Sequence, residues 1–432
     1  MKIRKEDSTK ENVKIVLFAV KNAPEFTLKL KIFLQIIDTK NTNQNLFKPF
    51  SLLFKMAKKV MWISSYLPRS CGIAYYSGDY ISALKNYAKK ADIDVSFKII
   101  AHTDAKQADY PIISQGDKTW NHKVLAVIKK EKPGIVHIQH EYGLYETNGD
   151  RNERVIELIK MLREEKIPVV MTYHSVYKKL NKDFAHFVSE TLKDLNAGIL
   201  HEEYQKNALK GNIGWQPKNV FVLPHGSRED IKLDKKEVRD GFGYAEKKLI
   251  VGSAGLASER KGFHNLIKQW HKVVKKFPDV LLSLELKPEA APETKVYIDK
   301  VLEAIMKSKV SKNIEFTVKD YGEMDFYRKL ASFDVLVLPY KSESQSGVLA
   351  HGFSVGAPAI VTDIEGLGAE IRNSKAGIAV KHRKDFYKAI IKMLKSKKLR
   401  EKCSKNALKY VKNVSGWNII AKKTFQIYEK FW

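Results

Sequence analysis

The segment VLVLPYKSESQSGVLAHGFSVGAPAIVT, residues 335–362, decides how the rest of the chain is interpreted. Its apolar ends predict two buried strands, at 334–338 and 359–362, and residues 346–355 between them predict a helix. Ser346, Gly347 and Val348 stand at the start of this helix, where backbone N–H groups are free and the helix dipole is positive. Such a helix start can seat a diphosphate, and Gly347 lets the phosphate approach the backbone.

The same alternation of short apolar strands and helices extends on both sides of this segment. Before it, strands are predicted at 60–64, 95–100, 135–139, 168–172, 197–200 and 219–223, with helices at 75–90, 121–131, 152–165, 183–194 and 202–210. After a polar stretch at 227–247, strands follow at 248–253, 280–286 and 313–317, with helices at 262–275, 294–307 and 324–331. Continuous apolar strands are typical of parallel sheets covered on both faces. The chain is therefore predicted to be an α/β protein with two doubly wound, Rossmann-like domains that face each other across a cleft.

The composition limits the environment and the partners of the chain. Among 432 residues there are two cysteines, Cys71 and Cys403, which lie far apart and form no metal-type spacing. No apolar stretch reaches the ~18 residues of a spanning helix, and no signal-peptide core follows the N-terminus, so a cytoplasmic protein is predicted. The net charge of +28 suits polyanionic partners, but it also fits a well-solvated basic surface, and no nucleic-acid motif accompanies it.

Residues 381–412 concentrate this charge, because they hold 13 Lys and Arg against 2 Asp and Glu. The segment has a helical pattern. Two interpretations stay open: a solvated helix face, and a dock on the inner face of an acidic membrane.

Glu343 lies in the loop after the strand, seven residues separate it from His351, and Gly356-Ala357-Pro358 follows. This pattern resembles the sugar-nucleotide motif of glycosyltransferase family 4, of the glycosyl transferases group 1 type, which has the GT-B fold. In the family, two glutamates stand at this spacing; the first contacts the donor sugar and the second usually holds the ribose. The resemblance implies that Glu343 takes the first role, as a catalytic residue. His351 departs from the pattern, and as a donor-binding residue it would offer a different hydrogen bond.

A second segment, IVGSAGLASERKGF at 250–263, resembles the first strand and loop of the family's donor domain. There a lysine before a glycine contacts the donor phosphates, which implies this role for Lys261. The family often has an arginine after the earlier glycine, Gly255; Leu256 stands at that position here, and Arg260 is expected to supply the missing charge. Cations at this place stabilise the negative charge that grows on a leaving diphosphate. The predicted donor-binding set is Gly72, Gly255, Arg260, Lys261, Ser346, Gly347, Val348 and His351.

The N-terminal half resembles the family at loops that follow its strands. Gly72 lies in PRSCGIA at 68–74, which resembles a glycine-rich loop beside the diphosphate or the acceptor. His140 and Glu141 lie in a segment that resembles one lining the cleft on the acceptor side. His174 ends a strand where the family places a histidine near the reacting centre, which implies a catalytic role; a structural hydrogen bond is the alternative. His225 stands where many relatives carry asparagine.

The resemblance covers the chain from about residue 58 to its end. It implies an acceptor-side domain at 58–228, a donor domain at 229–413 and a terminal helix at 414–432 that crosses back to the first domain. Residues 1–57 have no counterpart. They are interpreted as a divergent extension that is either disordered or non-native, with a membrane-surface anchor as the alternative.

The activity that the resemblance implies is a retaining transfer of a hexose, of mannose or glucose type, from a nucleotide-diphosphate sugar. The acceptor is expected to be a glycan, a lipid-linked saccharide or a polysaccharide precursor. No metal or other cofactor is expected, because Lys261, Arg260 and helix starts can neutralise the diphosphate and no histidine–cysteine cluster appears. No specific nucleic-acid partner is expected, and an anionic membrane surface stays open as a partner. Two rivals also stay open: a phosphorolytic or epimerising enzyme, and a catalytically idle protein that binds sugar nucleotides or polyanions.

Overall fold

The computed structural model describes residues 58–146, 149–244, 248–289 and 291–432. The interpretation of residues 1–57 lies outside the described residues. Within the described part, the chain forms two α/β domains, each built on one parallel sheet, which confirms the predicted fold class. No helix among these residues is long and apolar enough to cross a membrane.

The first domain is built on a seven-stranded sheet of order β3-β2-β1-β4-β5-β6-β7. Its strands are β1 (Lys58–Ile63), β2 (Val95–His102), β3 (Tyr110–Ile113), β4 (Ile135–His140), β5 (Val169–Tyr173), β6 (Ala197–Leu200) and β7 (Val220–Val222). Its helices are Gly72–Lys90, Trp120–Glu131, Tyr142–Tyr145, Glu153–Glu164, Lys182–Asp194 and Glu203–Ile213. Successive side chains of β1 enter opposite cores, Met61 on one face and Trp62 on the other, as the pleat of a doubly covered strand requires.

The second domain is built on a six-stranded sheet of order β10-β9-β8-β11-β12-β13. Its strands are β8 (Ile250–Leu256), β9 (Leu281–Lys287), β10 (Ile314–Val318), β11 (Val335–Leu338), β12 (Ala359–Thr362) and β13 (Gly377–Val380). Its helices are Lys235–Gly241, Phe263–Val274, Pro292–Met306, Glu323–Ser332, Gly347–Ser354, Glu365–Ser374, Phe386–Lys395 and Lys397–Tyr410, with short 3-10 helices at Glu259–Lys261, Ser311–Asn313 and Arg383–Asp385. Residues 335–362 supply β11, the helix Gly347–Ser354 and β12, and β11 lies in the middle of this sheet.

The sequence missed the edge strands β3 and β13 and the helices Tyr142–Tyr145, Lys235–Gly241 and Glu365–Ser374. Edge strands pair on one side only, so they can be short and can hold a residue such as Pro111, which lacks a backbone N–H. The polar stretch at 227–247 contains the helix Lys235–Gly241. Its start is stabilised by Asp234, whose carboxylate accepts hydrogen bonds from two backbone N–H groups at 2.9 Å.

The chain passes between the two domains twice, and the two crossings lie side by side. Ser227 on the first crossing pairs with Gly416 on the second in an isolated parallel bridge. The backbone N–H of Ser227 donates to the Ser415 carbonyl at 2.8 Å, and that of Trp417 donates to the Ser227 carbonyl at 3.1 Å. The last helix, Trp417–Tyr428, then packs against Gly72–Lys90 and is buried in the core of the first domain.

Candidate active site

A cavity of about 320 Å³ lies between the two domains, at the carboxyl ends of strands from both sheets. In open α/β sheets, ligands bind at these ends, close to helix N-termini. The first domain contributes Gly72, Tyr76 and Asp79, and the crossing segments contribute His225 and Trp417. The second domain contributes Gly255, Lys261, Glu285, Lys287, Glu323, Glu343, Ser346, Gly347, Val348 and His351.

Lys261 and Glu343 form an ion pair at the wall of this cavity. Both side chains are largely buried, with 7% and 13% of their surface exposed. The Lys261 ammonium also lies 3.8 Å from the centre of the Tyr340 ring, whose hydroxyl donates to the Ala254 carbonyl at 2.7 Å. Burial lowers the pKa of Lys261, and Glu343 opposes this shift. The pair therefore holds a cation and an anion in a place that water reaches poorly.

Two glycines bring the loops of this ion pair together. Gly255 has φ +147°, and a Cβ there would lie 2.8 Å from the Tyr340 hydroxyl. Gly262 has φ +67°, and its Cβ would lie 2.6 Å from the Pro339 carbonyl oxygen. Both positions combine a backbone conformation that favours glycine with a lack of space for a side chain. The loop after β8 can therefore press against the loop after β11, and this contact places Lys261 beside Glu343.

The helix Gly347–Ser354 begins at the cavity. The Ser346 hydroxyl caps it by accepting from the Leu349 N–H at 3.4 Å. The N–H groups of Gly347 and Val348 have no partner within the helix, and both residues line the cavity. His351, one turn later, donates from Nδ1 to the Gly347 carbonyl, because a carbonyl oxygen can only accept. The helix start is thus available to an anion.

Eight of the predicted site residues line the cavity. They are Gly72, Gly255, Lys261, Glu343, Ser346, Gly347, Val348 and His351. The other four, His140, Glu141, His174 and Arg260, lie outside its lining. The structure therefore brings the predicted donor-binding residues together, apart from Arg260, and separates both predicted histidines of the first domain from them.

His174 lies behind the cavity wall. Its ring is buried against Tyr76, with ring centres 4.7 Å apart, and its Nε2 pairs with the Gln139 side-chain oxygen at 3.0 Å. Its backbone carbonyl accepts from the Ser344 hydroxyl at 3.0 Å, which ties the two domains together. Burial lowers the pKa of His174 well below its usual value. His174 therefore contacts Ser344 through its backbone carbonyl and the lining residue Tyr76 through its ring.

His140 lies in the core of the first domain. Its ring stacks on Phe187 at 4.2 Å, and its Nε2 lies 3.4 Å from the Asn152 side-chain oxygen. Burial lowers its pKa to about 3. Within the described residues, its side chain makes structural contacts rather than cavity contacts.

Glu141 of the first domain and Arg260 of the second domain lie outside the cavity lining, and the charge of Arg260 acts on the Glu141 carboxylate. Burial raises the pKa of Glu141, while hydrogen bonds from Ser175 and Tyr142 and the charge of Arg260 lower it, and Glu343 raises it further. Arg260 is exposed, and its backbone carbonyl accepts from the Lys341 N–H at 2.7 Å.

Sequence reasoning missed Asp79, Tyr76 and His225 as lining residues. On the helix Gly72–Lys90, Tyr76 follows Gly72 by four positions and Asp79 follows Tyr76 by three, so helical periodicity could have placed all three on one face. Burial raises the pKa of Asp79 to about 7; Glu323 adds to the shift, and Arg228 and a hydrogen bond from Trp417 oppose it. His225 carried no comparable signal, because only the crossing of the chain brings it to the cavity.

No group of three or more His, Cys, Asp or Glu side chains that could hold a metal ion occurs in the described residues. Among the described residues that line the cavity, the cationic side chains are those of Lys261, Lys287 and Lys319, and the start of the helix Gly347–Ser354 adds free N–H groups.

Residues 234–410 match the family described as Glycosyl transferases group 1. No curated protein matches the chain in sequence. Solved structures do match its fold. HepE of Anabaena, in complex with UDP, is 13% identical with a TM-score of 0.63, over 86% of this chain and 100% of that chain.

Two further structures cover nearly the same part of the chain. A glycosyltransferase of Rickettsia africae is 17% identical with a TM-score of 0.68, over 87% of this chain and 98% of that chain. A sucrose-phosphate synthase of Thermosynechococcus elongatus is 16% identical with a TM-score of 0.66, over 86% of this chain and 98% of that chain. At these identities the structures establish a shared fold. The chain therefore shares the GT-B fold with these structures, and residues 234–410, in its second domain, are similar to the group 1 glycosyl transferases.

Proposed function

We propose that the chain moves a hexose, of mannose or glucose type, from a nucleotide-diphosphate sugar to a hydroxyl of a glycan, lipid-linked or polysaccharide-precursor acceptor, with retention at the anomeric carbon. The observation that carries this proposal is the Lys261–Glu343 ion pair beside the start of the helix Gly347–Ser354, inside an interdomain cavity. A buried cation, free N–H groups and a carboxylate are the groups that a sugar diphosphate needs.

The diphosphate is proposed to lie on the N–H groups of Gly347 and Val348, beside the ammonium of Lys261. Negative charge grows on the diphosphate as its bond to the anomeric carbon breaks, and both groups stabilise that charge. This arrangement supports catalysis without a metal. Glu343 is proposed to hold hydroxyls of the transferred sugar, and the diphosphate would then compete with Glu343 for Lys261.

The acceptor is proposed to enter at Glu141 and Arg260, next to the residues that line the cavity. Its hydroxyl oxygen forms the new bond to the anomeric carbon on the face that the diphosphate leaves. The bonding electrons pass to the departing phosphate oxygen, which takes the hydroxyl proton, so the step is balanced without a protein nucleophile. The protein then contributes positioning and exclusion of water.

The neighbours support a nucleotide donor and suggest which nucleotide to test first. HepE has been solved in complex with UDP, with UDP and glucose, and with UDP-glucose. UDP and UDP-glucose are therefore the first probes, and GDP, GDP-mannose, ADP and ADP-glucose complete the panel.

Calorimetric titration of this panel tests the proposal. Wild type is expected to bind one diphosphate, and Lys261→Ala is expected to weaken this binding at least ~tenfold, because a charge-assisted contact is lost. Lys341→Ala is the matched control, since this lysine lies in the neighbouring loop and pairs with Glu259 outside the cavity. Equal binding by wild type and Lys261→Ala would reject the proposed donor site. Donor binding without transfer to any acceptor would favour the idle-binding alternative.

We infer in addition that the chain acts in the cytoplasm at an anionic membrane surface, where lipid-linked acceptors are found. The helices Phe386–Lys395 and Lys397–Tyr410 support this, because they expose Lys388, Lys392, Lys395, Lys397, Lys398, Lys402, Lys405 and Lys409, together with Leu408. The wild-type protein is expected to sediment with phosphatidylglycerol vesicles and to stay in the supernatant with phosphatidylcholine vesicles. Unchanged sedimentation of Lys392→Glu/Lys405→Glu would reject this surface.

A further inference from the structure

The imidazole of His225 lies in the wall of the cavity, close to the start of the helix Gly347–Ser354. The residue follows β7 on the first crossing between the domains, and a Cβ on Gly347 would lie 3.7 Å from its Nε2 atom. His225 therefore faces the helix start that is proposed to hold the diphosphate, although it belongs to no element of the second domain.

The position of this ring is determined by close packing. Next to it, a Cβ on Gly226 would lie 2.3 Å from the ring of Trp417, so the backbone lies directly on that indole. Tyr76 packs edge-on against the imidazole, with ring centres 4.8 Å apart. The bridge between Ser227 and Gly416 holds the backbone that follows. The imidazole is thus placed before any ligand arrives.

The tautomer of His225 follows from its one hydrogen bond. Its Nδ1 lies 2.9 Å from the Gly226 carbonyl oxygen. A carbonyl can only accept, so Nδ1 carries the proton and Nε2 keeps its lone pair. Among the described residues, no side chain or backbone group hydrogen-bonds to Nε2. An acceptor atom in the cavity wall is therefore left for a ligand.

The ring stays neutral while it offers this lone pair. Burial lowers the pKa of His225 to about 3, and the neighbouring His201 and His351 add to the shift. A group with this pKa is a weak base at neutral pH, so it accepts a hydrogen bond without taking the proton.

The ligand group that suits Nε2 is a hydroxyl. A phosphate oxygen would bring its own lone pairs against that of Nε2, which is unfavourable. A hydroxyl bears a proton to donate, and a nucleotide sugar carries hydroxyls on both sides of its diphosphate, on the ribose and on the transferred sugar. Both sources have the same recognition chemistry.

We propose that His225 is a specificity-determining residue whose Nε2 accepts a hydrogen bond from a donor-substrate hydroxyl next to the diphosphate. This inference rests on the proposed sugar-nucleotide site and adds a residue from the first domain to it. It also explains why a neutral hydrogen-bond acceptor stands at this position, although an arginine or lysine would bind the diphosphate more strongly.

The test measures affinities by calorimetry with the full chain. The probes are UDP, 2′-deoxy-UDP, UDP-glucose and singly deoxygenated UDP-glucose analogues, with GDP and GDP-mannose analogues if wild type prefers guanine. The variants are His225→Phe, which keeps a ring but has no lone pair, and His225→Leu, which serves if the first does not fold. His102→Asn is the control, because His102 is also buried, hydrogen-bonded to a carbonyl and outside the cavity lining.

In wild type, one deoxygenated probe is expected to bind roughly three- to tenfold more weakly than its parent. In His225→Phe, the affinity for the parent compound is expected to fall to the affinity for that deoxygenated probe, so that deleting the hydroxyl no longer changes binding. If His225→Phe binds UDP more weakly than wild type does, the hydroxyl belongs to the ribose. If the variant binds only UDP-glucose more weakly, the hydroxyl belongs to the transferred sugar. The control is expected to keep the wild-type preference.

Two results would overturn the inference. One is a His225→Phe variant that still discriminates every deoxygenated probe as wild type does. The other is an equal loss of affinity for parents and deoxygenated probes, which a general packing defect would cause. A wild type that binds no nucleotide would instead reject the proposed donor site, and the inference would fail with it.

Discussion

At the scale of single residues, the site depends on contacts between groups that are remote in sequence. Lys261 and Glu343 are 82 positions apart, yet they share a buried ion pair. Each was predicted to act on a different part of the donor, one on the diphosphate and one on the sugar. The structure adds that they are partners before substrate arrives. The ion pair can therefore position both side chains for the donor.

Loss of either partner is expected to slow the reaction. Glu343→Ala and Lys261→Ala should each lower turnover by at least ~tenfold, because each removes a group that holds charge or hydroxyls at the transition state. Steady-state transfer from UDP-glucose or GDP-mannose, with circular dichroism to confirm folding, measures the effect. Rates like those of wild type in both variants would contradict the site assignment.

The two residues should also be coupled in stability. Lys261→Met and Glu343→Gln each leave a buried group without its partner, whereas the double variant leaves neither charge. The double variant is therefore expected to be more stable than the sum of the single effects predicts, by ~0.5–3 kcal/mol. Urea unfolding of the four proteins gives this coupling energy. Additive effects would show that the ion pair contributes nothing to the folded state.

At the scale of elements, tight loops decide where the functional groups point. Gly255 lies near the end of the strand β8, and the loop that joins β8 to the helix Phe263–Val274 turns at Gly262. Sequence periodicity located the strand and the helix within a few residues. The direction of the loop depends on two positive φ angles and on contacts with the loop after β11, which periodicity does not report.

Gly262→Ala is expected to damage the site. The new Cβ would meet the Pro339 carbonyl at 2.6 Å, and φ +67° disfavours a side chain. The loop should shift, with a loss of ~1–3 kcal/mol of stability and weaker nucleotide binding. Thermal unfolding and calorimetry measure both effects.

Gly241→Ala is the control for this substitution. It ends the helix Lys235–Gly241, has no atom within 4 Å of its Cβ position and lies outside the cavity. Its stability and nucleotide affinity should match those of wild type. If Gly262→Ala behaved like Gly241→Ala, the close approach of the two loops would not be needed for the site.

At the scale of the whole molecule, the cavity is closed by contacts from both domains. The Tyr204 hydroxyl donates to the Ser344 carbonyl at 2.9 Å, and the Ser344 hydroxyl donates to the His174 carbonyl at 3.0 Å. At the other side, Asp79 of the first domain faces Glu323 of the second domain and Arg228 of the first crossing. Burial of the Asp79 carboxyl is a consequence of this docking, so its ionisation should affect stability.

The pH dependence of stability tests this environment. The pKa of Asp79 is about 7 in the folded protein, against 3.8 for an unperturbed group, so the folded state binds the proton more tightly. This contribution to stability is complete below the unfolded pKa and is lost as the pH rises through about 7. Asp79→Asn cannot ionise, and its Tm relative to wild type is expected to be at least ~2 °C higher at pH 8 than at pH 5. A Tm difference that does not change with pH would contradict the buried-carboxyl environment.

The N-terminal half shows that a motif does not report the direction of a side chain. His174 and His140 stand at carboxyl ends of strands, which is the correct edge of the sheet. The edge is wide, however, and both rings turn into the core of their own domain, whereas His225 and Asp79 reach the cavity. Strand position predicts the neighbourhood of a side chain, and packing decides its direction.

By itself, the sequence determined the fold class, the strands of both sheets apart from two edge strands, most of the helices, and eight of the residues that line the cavity. These features depend on local periodicity and on a motif whose residues follow one another along a strand, a loop and a helix. Only the tertiary structure decided that Lys261 pairs with Glu343, that His225 and Asp79 line the cavity, and that His174 lies behind the cavity wall. Those facts depend on how two domains dock and how the chain crosses twice between them, and no local pattern of residues records such long-range packing.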